Sequence, residues 1–359
     1  MDMKDTILFG DCRKTISKIT EPVKMCVTSP PYYGLRDYGT ATWIGGDPNC
    51  NHRRDTKVNP ETCNTGHKNH DTMLGVGDAI YKSVCEKCGA IRQDSQIGLE
   101  ETPEEYIDNL VNLFRDVREV LTDDGTLWLN IGDSYYNYRS DGNYPKQSVS
   151  KTRQDLPTKT PVRGNKLDGL KQKDLIGIPW MLAFALRADG WYLRQDIIWH
   201  KPNPMPESVK DRCTKAHEYI FLLSKSKNYY YNNEAIKEPV KQDWGTRNRT
   251  KGKYHNEGTG LQPHSGLTKS YPKKNKRSVW SVTTKPFKGA HFAVFPPELI
   301  EPCIKAGSEV GDIILDPFMG SGTTAMVAKM LDRYYIGCEL HEDYGNLIQE
   351  RVPINVSYL

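Results

Sequence analysis

Apolar and polar residues follow two different periods along the chain, and these periods predict strands that alternate with helices. Short runs rich in β-branched and aromatic residues predict strands at 6–10, 23–28, 125–132, 191–200, 218–225, 312–316 and 333–339. Helical periodicity predicts helices at 102–121, 178–190, 296–307 and 322–332. This order predicts an α/β fold with a doubly wound sheet, in which ligands bind beyond the carboxyl ends of the strands.

The predicted strand at 23–28 stops at the sequence Ser29-Pro30-Pro31-Tyr32. Two consecutive prolines do not suit a strand interior, because neither has an N–H group to donate to a neighbouring strand. The motif therefore lies at the carboxyl end of a strand, where a binding site is expected. Taken alone, it is equally well interpreted as an ordinary proline turn.

A second motif, DPFMGSGTTA at 316–325, follows the strand predicted at 312–316. Its glycines Gly320 and Gly322 allow a ligand to approach the backbone closely, and the start of the next helix offers unpaired N–H groups. Glu339 ends the following strand, where an acid suits the two hydroxyls of a ribose. The pattern predicts a cofactor that contains a nucleoside, either NAD or S-adenosylmethionine.

Together the two motifs resemble those of the DNA amino-methyltransferases, which methylate an exocyclic base nitrogen with S-adenosylmethionine. A catalytic motif near the start and a cofactor motif near the end is the order of their beta group. Further segments resemble this group at 8–12, 120–135, 196–212, 216–226 and 288–300. The resemblance covers most of the chain apart from residues 41–95 and two basic stretches.

The resemblance implies a Rossmann-like S-adenosylmethionine-dependent methyltransferase sheet. We expect this sheet to carry inserted zinc-knuckle and DNA-recognition segments. It implies four catalytic residues, which are Ser29, Pro30, Pro31 and Tyr32. It also implies cofactor-binding residues near Gly10 and in the later motifs, namely Asp11, Cys12, His291, Phe295, Asp316, Phe318, Gly320, Ser321, Gly322, Thr323 and Glu339.

The catalytic motif suits the chemistry of a base amine, whose lone pair is delocalised into the ring. The Ser29 hydroxyl and the Pro30 carbonyl can accept its two hydrogens and aim the lone pair at the methyl group. The target base must leave the duplex, at a cost of a few kcal/mol. Stacking on Tyr32 offsets about 1–3 kcal/mol of that cost.

The net charge of the chain is only +4, but the charge is unevenly distributed. Residues 241–288 contain twelve Lys and Arg against two acids, and residues 137–173 contain nine against three. Two such stretches in an otherwise acidic chain indicate a polyanionic partner, here double-stranded DNA. Within 232–288, the expected target-recognition region, we predict DNA contacts by Lys273, Lys274, Lys276 and Arg277. Solvated loops are the alternative interpretation.

Residues 41–95 contain the pattern Cys50-x-His52 followed by Cys85-x-x-Cys88-Gly89. Four nitrogen and sulfur ligands can close a tetrahedral structural zinc site, and the little apolar content between them suggests that metal orders the segment. Cys63 or His67 could replace His52. The alternative is a loop with unpaired thiols.

We expect the catalytic domain to be interrupted by three insertions. The predicted segments are catalytic parts at 1–40, 96–136 and 174–231, a zinc insertion at 41–95, a basic DNA-contacting loop at 137–173, the target-recognition region at 232–288 and a cofactor-binding catalytic part at 289–359.

The base is predicted from the first residue of the catalytic motif. In the resembling family, Ser at this position accompanies cytosine N4 methylation more often, and Asp or Asn accompanies adenine N6. We therefore predict N4-methylcytosine in double-stranded DNA, with N6-methyladenine as the alternative and RNA disfavoured. An NAD-dependent oxidoreductase and a non-catalytic DNA-binding module are rival functions, but the first leaves the proline motif unexplained and the second leaves the cofactor loop unexplained.

Nine cysteines, no apolar run of membrane length and no apolar core of a signal peptide predict reduced thiols or metal ligation in a cytoplasm. From the resemblance, we expect a prokaryotic cell, or a host cell if the gene is phage-encoded. We expect a monomer or a homodimer without membrane contact. A cognate restriction endonuclease is a further partner that the resemblance allows.

Overall fold

The computed structural model describes residues 3–34, 40–53, 81, 83–137, 167–240, 272–284, 295–352 and 355–357. The strands are β1 Thr6–Phe9, β2 Val23–Thr28, β3 Thr42–Ile44, β4 Ile91–Gln93, β5 Leu121–Ile131, β6 Tyr192–His200, β7 His217–Ser224, β8 Glu238–Pro239, β9 Lys273–Lys274, β10 Val279–Ser281, β11 Ile313–Asp316, β12 Tyr334–Glu339 and β13 Asn355–Ser357. The α-helices are α1 Cys12–Thr15, α2 Pro103–Val120, α3 Ile178–Ala188, α4 Pro297–Gly307, α5 Thr323–Met330 and α6 Tyr344–Arg351.

A nine-stranded sheet forms the centre of the molecule, in the order β10-β6-β7-β5-β2-β11-β12-β1-β13. In this order, the strands from β5 to β13 run parallel to one another. Strand β7 runs antiparallel to both of its neighbours, β5 and β6. The predicted α/β fold with a methyltransferase-like sheet is confirmed. Because β2 and β11 are adjacent, segments far apart in sequence end at the same edge of the sheet.

Helices cover both faces of this sheet. On one face, α2 and α3 pack against alternate residues of β5, namely Leu127, Leu129 and Ile131. On the other face, α4, α5 and α6 join a second core that includes Trp128. The alternation arises because successive strand residues point to opposite faces.

Local signals account for most element boundaries. Thr102 caps α2 by accepting a hydrogen bond from the Glu105 N–H at 3.2 Å, as the sequence predicts. Six predicted strands and all four predicted helices begin and end within two residues of the observed bounds. Strand β5 begins earlier, at Leu121, because the acidic Asp123-Asp124-Gly125 sequence continues the strand irregularly instead of forming a turn before it.

Several short elements were not predicted. Strands β3, β4, β8, β9, β10 and β13 have only two or three residues, and α1 has only four. Such segments carry too few residues to show a period, so their pairing depends on distant partners. Within the described ranges, no helix is both long and apolar enough to cross a membrane.

Candidate active site at the carboxyl ends of the strands

The two sequence motifs meet at the carboxyl ends of β2 and β11. Thr28, the last residue of β2, donates a hydrogen bond from its hydroxyl to Asp316 Oδ1 at 2.6 Å, and both side chains are buried. Ser29 follows directly after Thr28, and Asp316 begins the glycine-rich loop. A single hydrogen bond therefore ties the start of the proline motif to the start of the loop.

Asp316 is a buried acid that accepts hydrogen bonds from β2, from the loop and from α5. Its second oxygen accepts a hydrogen bond from the Thr324 hydroxyl at 2.6 Å, and its first also accepts the Phe318 N–H at 3.0 Å. Burial raises the pKa of this carboxyl to about 6, while the bonds from Thr28, Thr324 and Phe318 oppose the rise. The side chain of Asp316 thus holds the loop and β2 together.

The glycine-rich loop adopts backbone angles that favour glycine at two positions. Gly320 has a φ of 55° and Gly322 a φ of 78°. Gly322 precedes the first residue of α5, and a Cβ atom there would lie 3.0 Å from the side chain of Ile348 in α6. The loop is anchored by the Met319 N–H, which donates to the Cys338 carbonyl at 2.9 Å. Its backbone is therefore held close to the end of β12.

Glu339, the last residue of β12, faces this loop. Its Oε2 accepts the Gly320 N–H at 2.7 Å, and its Oε1 accepts the His341 N–H at 2.8 Å. The side chain is buried, and burial raises its pKa to about 7 despite these two hydrogen bonds. An acid of this kind is partly ionised at neutral pH and retains lone pairs for further donors.

The predicted segment near the amino terminus lies beside Glu339. Strand β1 pairs in parallel with β12, and the Gly10 N–H donates to the Glu339 carbonyl at 2.8 Å. Asp11 caps the short helix α1 and is ion-paired with Arg13 at 2.7 Å. The adjacent Cys12 is buried, and burial raises the pKa of its thiol. The structure therefore brings residues 10–12 together with the cofactor motif.

Two predicted cofactor residues are engaged elsewhere. The guanidinium of Arg351, at the end of α6, donates to the Ser321 hydroxyl at 2.7 Å and to the Thr323 hydroxyl at 3.2 Å. Ser321 and Thr323 are both buried. These hydroxyls hold the loop to α6. Arg351 was not predicted, since nothing in its local sequence points to the loop.

A cavity of about 220 Å³ lies just beyond β12, lined by Thr40 and by residues 340–343. None of the predicted cofactor residues lines this cavity, which adjoins Glu339 through Leu340. A buried carboxylate at a strand end and a glycine loop with left-handed backbone are the features that a nucleoside cofactor requires. The donor set thus fits S-adenosylmethionine. Phe295 is half-buried against the α4 core, whereas His291 lies outside the described residues.

A larger cavity, of about 500 Å³, lies at the opposite edge of the sheet. It is lined by residues 16, 17 and 19–22, which precede β2, and by residues 116 and 119–122, at the end of α2 and the start of β5. Because parallel sheets bind their ligands at the carboxyl ends of the strands, this cavity is not part of the site.

Tyr32 of the proline motif is fixed by strands β5 and β7. Its hydroxyl donates to Glu218 Oε2 at 2.6 Å and lies 3.4 Å from Asn130 Oδ1. Its ring packs on Gly132, where an added Cβ would lie 2.6 Å from a ring carbon. Burial and the Glu218 carboxylate raise the pKa of this phenol, and the neighbouring Ser29 hydroxyl opposes the rise. The ring is therefore held in one orientation next to Ser29.

Glu218 is itself held by a cation. It forms an ion pair with Lys201, from the segment after β6, and both side chains are largely buried. Lys215 is half-buried nearby, and burial lowers its pKa. Lys201 and Glu218 lie in segments that resemble the beta group, but neither was predicted as a site residue. The sequence features that could have indicated them are the position of Lys201 directly after β6 and the position of Glu218 at the start of β7.

The proline motif is also supported from α2. The Tyr106 hydroxyl donates to the Pro31 carbonyl at 2.8 Å, and the Tyr33 hydroxyl donates to the Glu101 carbonyl at 3.1 Å. The rings of Tyr33 and Tyr106 are 5.6 Å apart. Burial raises the pKa of Tyr33 to about 12, so this phenol remains protonated. The motif is thus braced on two sides.

The four predicted metal ligands converge at a separate point. The ligand atoms of Cys50, His52, Cys85 and Cys88 all lie within 4.8 Å of one another. The alternative ligands Cys63 and His67 lie outside the described residues.

The predicted DNA-contacting cations differ in their surroundings. Lys273 and Lys274 form β9, whereas Lys276 and Arg277 both pair with Glu238, at 3.7 and 3.3 Å. Lys276 also lies 5.0 Å from the centre of the Trp280 ring. Most of both basic stretches lies outside the described residues.

Comparison with known proteins relates this chain to DNA methylation. The family model described as DNA methylase, of the N6 and N4 methyltransferase type, matches residues 23–350. The chain is 42% identical to the type II methyltransferase M.SmaI of Serratia marcescens over 96% of this chain and 90% of that protein. It is 40% identical to M.Cfr9I of Citrobacter freundii over 97% of this chain and 87% of that protein.

Solved structures share the fold at low identity. The PvuII DNA methyltransferase, described as cytosine-N4-specific, has a TM-score of 0.52 and 14% identity over 98% of this chain and 87% of that chain. A putative DNA modification methylase of Thermus thermophilus, TTHA0409, crystallised with S-adenosyl-L-methionine, has a TM-score of 0.51 and 20% identity over 99% of this chain and 97% of that chain.

Proposed function

Since the chain belongs to the DNA methylase family of N6 and N4 methyltransferases, we propose that it uses S-adenosylmethionine to methylate the N4 amine of a cytosine flipped out of double-stranded DNA. The observation that carries this proposal is the junction of the two motifs. The Thr28–Asp316 hydrogen bond at 2.6 Å ties Ser29-Pro30 to the same edge of the sheet as the glycine-rich loop.

The cofactor supplies an electrophilic methyl group when bound. Glu339 would accept hydrogen bonds from the ribose hydroxyls, since its carboxylate is buried at the end of β12 and faces the loop. Gly320 and Gly322 would allow the loop backbone to lie against the cofactor. The Gly10 N–H is bound to the Glu339 backbone carbonyl. Asp11 and Cys12 follow Gly10 and would line the pocket for the adenine of the cofactor.

The proline motif acts on the amine. Ser29 and the Pro30 carbonyl accept its two N–H hydrogens and so turn the nitrogen lone pair out of conjugation with the ring. Because Pro30 and Pro31 restrict the backbone, the acceptors are positioned before the base arrives. Tyr32 provides the aromatic face beside them, and its ring is fixed by Glu218.

Two features support cytosine rather than adenine. Ser29 is a neutral acceptor, whereas a carboxylate at this position would accept more strongly from the less polarised adenine amine. The carboxylate that contacts Tyr32, that of Glu218, is already engaged by Tyr32 and Lys201, and the Asp316 carboxylate is engaged by Thr28 and Thr324. The N6 amine of adenine presents the same two hydrogens and is the second candidate.

Double-stranded DNA is the substrate in this proposal, which extends to a monomer or homodimer acting beside a cognate endonuclease. Lys273 and Lys274 lie in the region where DNA contacts are predicted. Salt-dependent binding is expected, because phosphate contacts release counterions.

The test is to incubate DNA with cofactor carrying a labelled methyl group, digest the product and separate the nucleosides. Label in N4-methylcytosine is the expected result. Label in N6-methyladenine would replace the base while keeping the chemistry, and label at cytosine C5 would overturn the amine mechanism. Ser29→Ala serves as the inactive control, and it should still bind cofactor as the wild-type protein does.

A further inference from the structure

The Cys/His cluster has the dimensions of a metal site. Cys50 Sγ lies 3.8 Å from Cys85 Sγ, and Cys88 Sγ lies 3.5 Å from His52 Nδ1. A tetrahedral zinc ion with bonds of about 2.3 Å to sulfur and about 2.0 Å to nitrogen has edges of about 3.8 Å between sulfurs and about 3.5 Å between sulfur and nitrogen. Both distances match these edges, and the Cys50 and Cys85 sulfurs are too far apart for a disulfide.

The backbone around the ligands is shaped to hold them. Gly89 has a φ of 75°, and its N–H donates to the Cys85 carbonyl at 2.7 Å, which closes the turn after Cys88. A Cβ atom at Gly46 would lie 2.8 Å from Cys88 Sγ. His52 has a φ of 50°, a conformation that residues other than glycine adopt mainly where the surroundings require it.

A backbone N–H group points at one of the sulfurs. The His52 N–H donates to Cys50 Sγ at 3.4 Å. Such donors stabilise thiolates, which are the form of cysteine that binds metal.

The surrounding segment has too little apolar core to order these ligands unaided. Its buried apolar residues in the described ranges are Tyr81, Cys85 and Ala90, with Trp43 packed beside them and stacked on the His52 ring at 4.2 Å. Small segments of this kind depend on metal for their stability. The positions of the four proposed ligands therefore need a stabilising interaction other than apolar burial.

We propose that Cys50, His52, Cys85 and Cys88 bind one structural Zn²⁺, and that this zinc site holds the segment 94–98 against the catalytic loop 29–34. On binding, three thiols release their protons to solvent and the neutral imidazole donates its Nδ1 lone pair, so that the site carries a charge of about −1. All four positions are filled by protein, which leaves none for catalysis.

The connection runs through β4 and the residues after it. Asp94 Oδ1 accepts the Thr40 hydroxyl at 3.0 Å, which ties both ends of the zinc segment together. The Ser95 carbonyl accepts a hydrogen bond from the Arg13 guanidinium at 2.9 Å, beside the predicted cofactor residue Asp11. The Gly34 N–H donates to the Gly98 carbonyl at 2.9 Å.

Gly98 fits closely under the proline motif. A Cβ atom there would lie 3.1 Å from the Tyr32 carbonyl and 3.3 Å from the Pro31 carbonyl. The preceding residue, Ile97, follows Cys88 by only nine positions and is buried in the main core. Loosening the zinc site would therefore release the backbone that supports the catalytic loop.

The first test measures metal in protein purified without chelator. About one equivalent of zinc per chain is expected in the wild-type protein and in Cys213→Ser, which changes an exposed cysteine outside the cluster. Cys88→Ser should retain less than about half an equivalent. After exchange with Co²⁺, the wild-type protein should show the visible absorption of tetrahedral cobalt with thiolate ligands. Wild-type protein without zinc or any other bound metal would overturn the site.

The second test measures amide hydrogen exchange before and after chelation. Residues 29–34 and 94–98 should exchange at least about tenfold faster in the apoprotein, whereas β11 and β12 should not change. Restoring Zn²⁺ should restore protection in the wild-type protein and in Cys213→Ser. Unchanged exchange at 29–34 would overturn the link to the catalytic loop. Neither readout depends on methyl transfer, so failure of the proposed function would not be mistaken for failure of the zinc site.

Discussion

Replacing Glu339 by Gln tests the cofactor site most directly. In the folded protein the two carboxylate oxygens accept the N–H groups of Gly320 and His341, at 2.7 and 2.8 Å. The ribose hydroxyls would donate to the remaining lone pairs. Glutamine keeps the shape of the side chain but offers one acceptor oxygen and one donor NH₂ group. The substitution therefore removes one acceptor for the ribose hydroxyls. It also places the side-chain NH₂ group opposite a backbone N–H group, so that two donors face each other.

The magnitude follows from the missing hydrogen bond. A hydrogen bond to a charged acceptor contributes about 1.5–3 kcal/mol. Removing one such bond should weaken S-adenosylmethionine binding by roughly 10- to 150-fold, because 1.4 kcal/mol corresponds to about a factor of ten. Glu119→Gln is the matched control, since Glu119 is exposed on α2 at the opposite edge of the sheet.

The effect should also depend on pH. Burial raises the Glu339 pKa to about 7, so the acceptor carboxylate is lost as the pH falls through that value. Wild-type affinity should therefore fall from about pH 8 to about pH 6, approaching tenfold per pH unit below the pKa, and Glu339→Gln should show less of this fall. Any contribution from Asp316, whose pKa is about 6, is common to both proteins.

Isothermal titration with S-adenosylmethionine at three pH values provides the measurement. Thermal unfolding without ligand shows whether the variant is folded. If folded Glu339→Gln binds as tightly as the wild-type protein at about pH 8, where the carboxylate is mostly ionised, the ribose assignment is wrong. Equal pH dependence in both proteins would mean that another group controls affinity.

The remaining predictions concern the base and DNA sites. Glu218→Gln replaces the charged acceptor of the Tyr32 hydroxyl by a neutral one. We expect the single-turnover rate constant of methyl transfer to fall roughly 10-fold or more, because a hydrogen bond to a charged group that contributes about 1.5–3 kcal/mol is removed. Cofactor affinity should change little. Gly132→Ala places a Cβ 2.6 Å from the Tyr32 ring, so the ring must shift and methylation should fall while cofactor titration is unchanged. Alanine at both Lys273 and Lys274 should reduce the slope of log K for DNA against log salt by about 0.9 for each phosphate that the protein no longer neutralises.

A specific result would contradict each of these predictions. Normal turnover in Glu218→Gln would show that Tyr32 needs no charged partner, and normal turnover in Gly132→Ala would show that the ring orientation does not matter. An unchanged salt slope in the lysine variant would show that β9 does not touch DNA. Replacing the ion-paired Lys276 by Ala is the matched comparison, because its charge is already partly neutralised by Glu238.

Much of the fold could be predicted from the sequence because its elements carry local signals. Helix α2 has a capping Thr102, a proline at its first position and a continuous apolar stripe, so its bounds differ from the prediction by one residue at each end. The parallel strands are short apolar runs bounded by polar turns. These signals depend on neighbours in sequence, and the physics that selects a helix or strand acts over the same few residues.

The candidate site was partly visible for the same reason. The motifs at Ser29-Pro30 and Gly320-x-Gly322 require particular residues next to one another, because backbone restriction and left-handed turns are local properties. Cys50, His52, Cys85 and Cys88 were found by spacing, since two close pairs can each contribute two ligands to one metal.

Only the tertiary structure decided which distant groups support these motifs. Thr28 meets Asp316 because β2 and β11 are neighbours in the sheet, although 288 positions separate them in sequence. Glu218 reaches Tyr32 from an antiparallel strand across a gap of 186 positions. Strand order and hydrogen-bond geometry depend on how the whole core packs, and no short stretch of sequence contains that information.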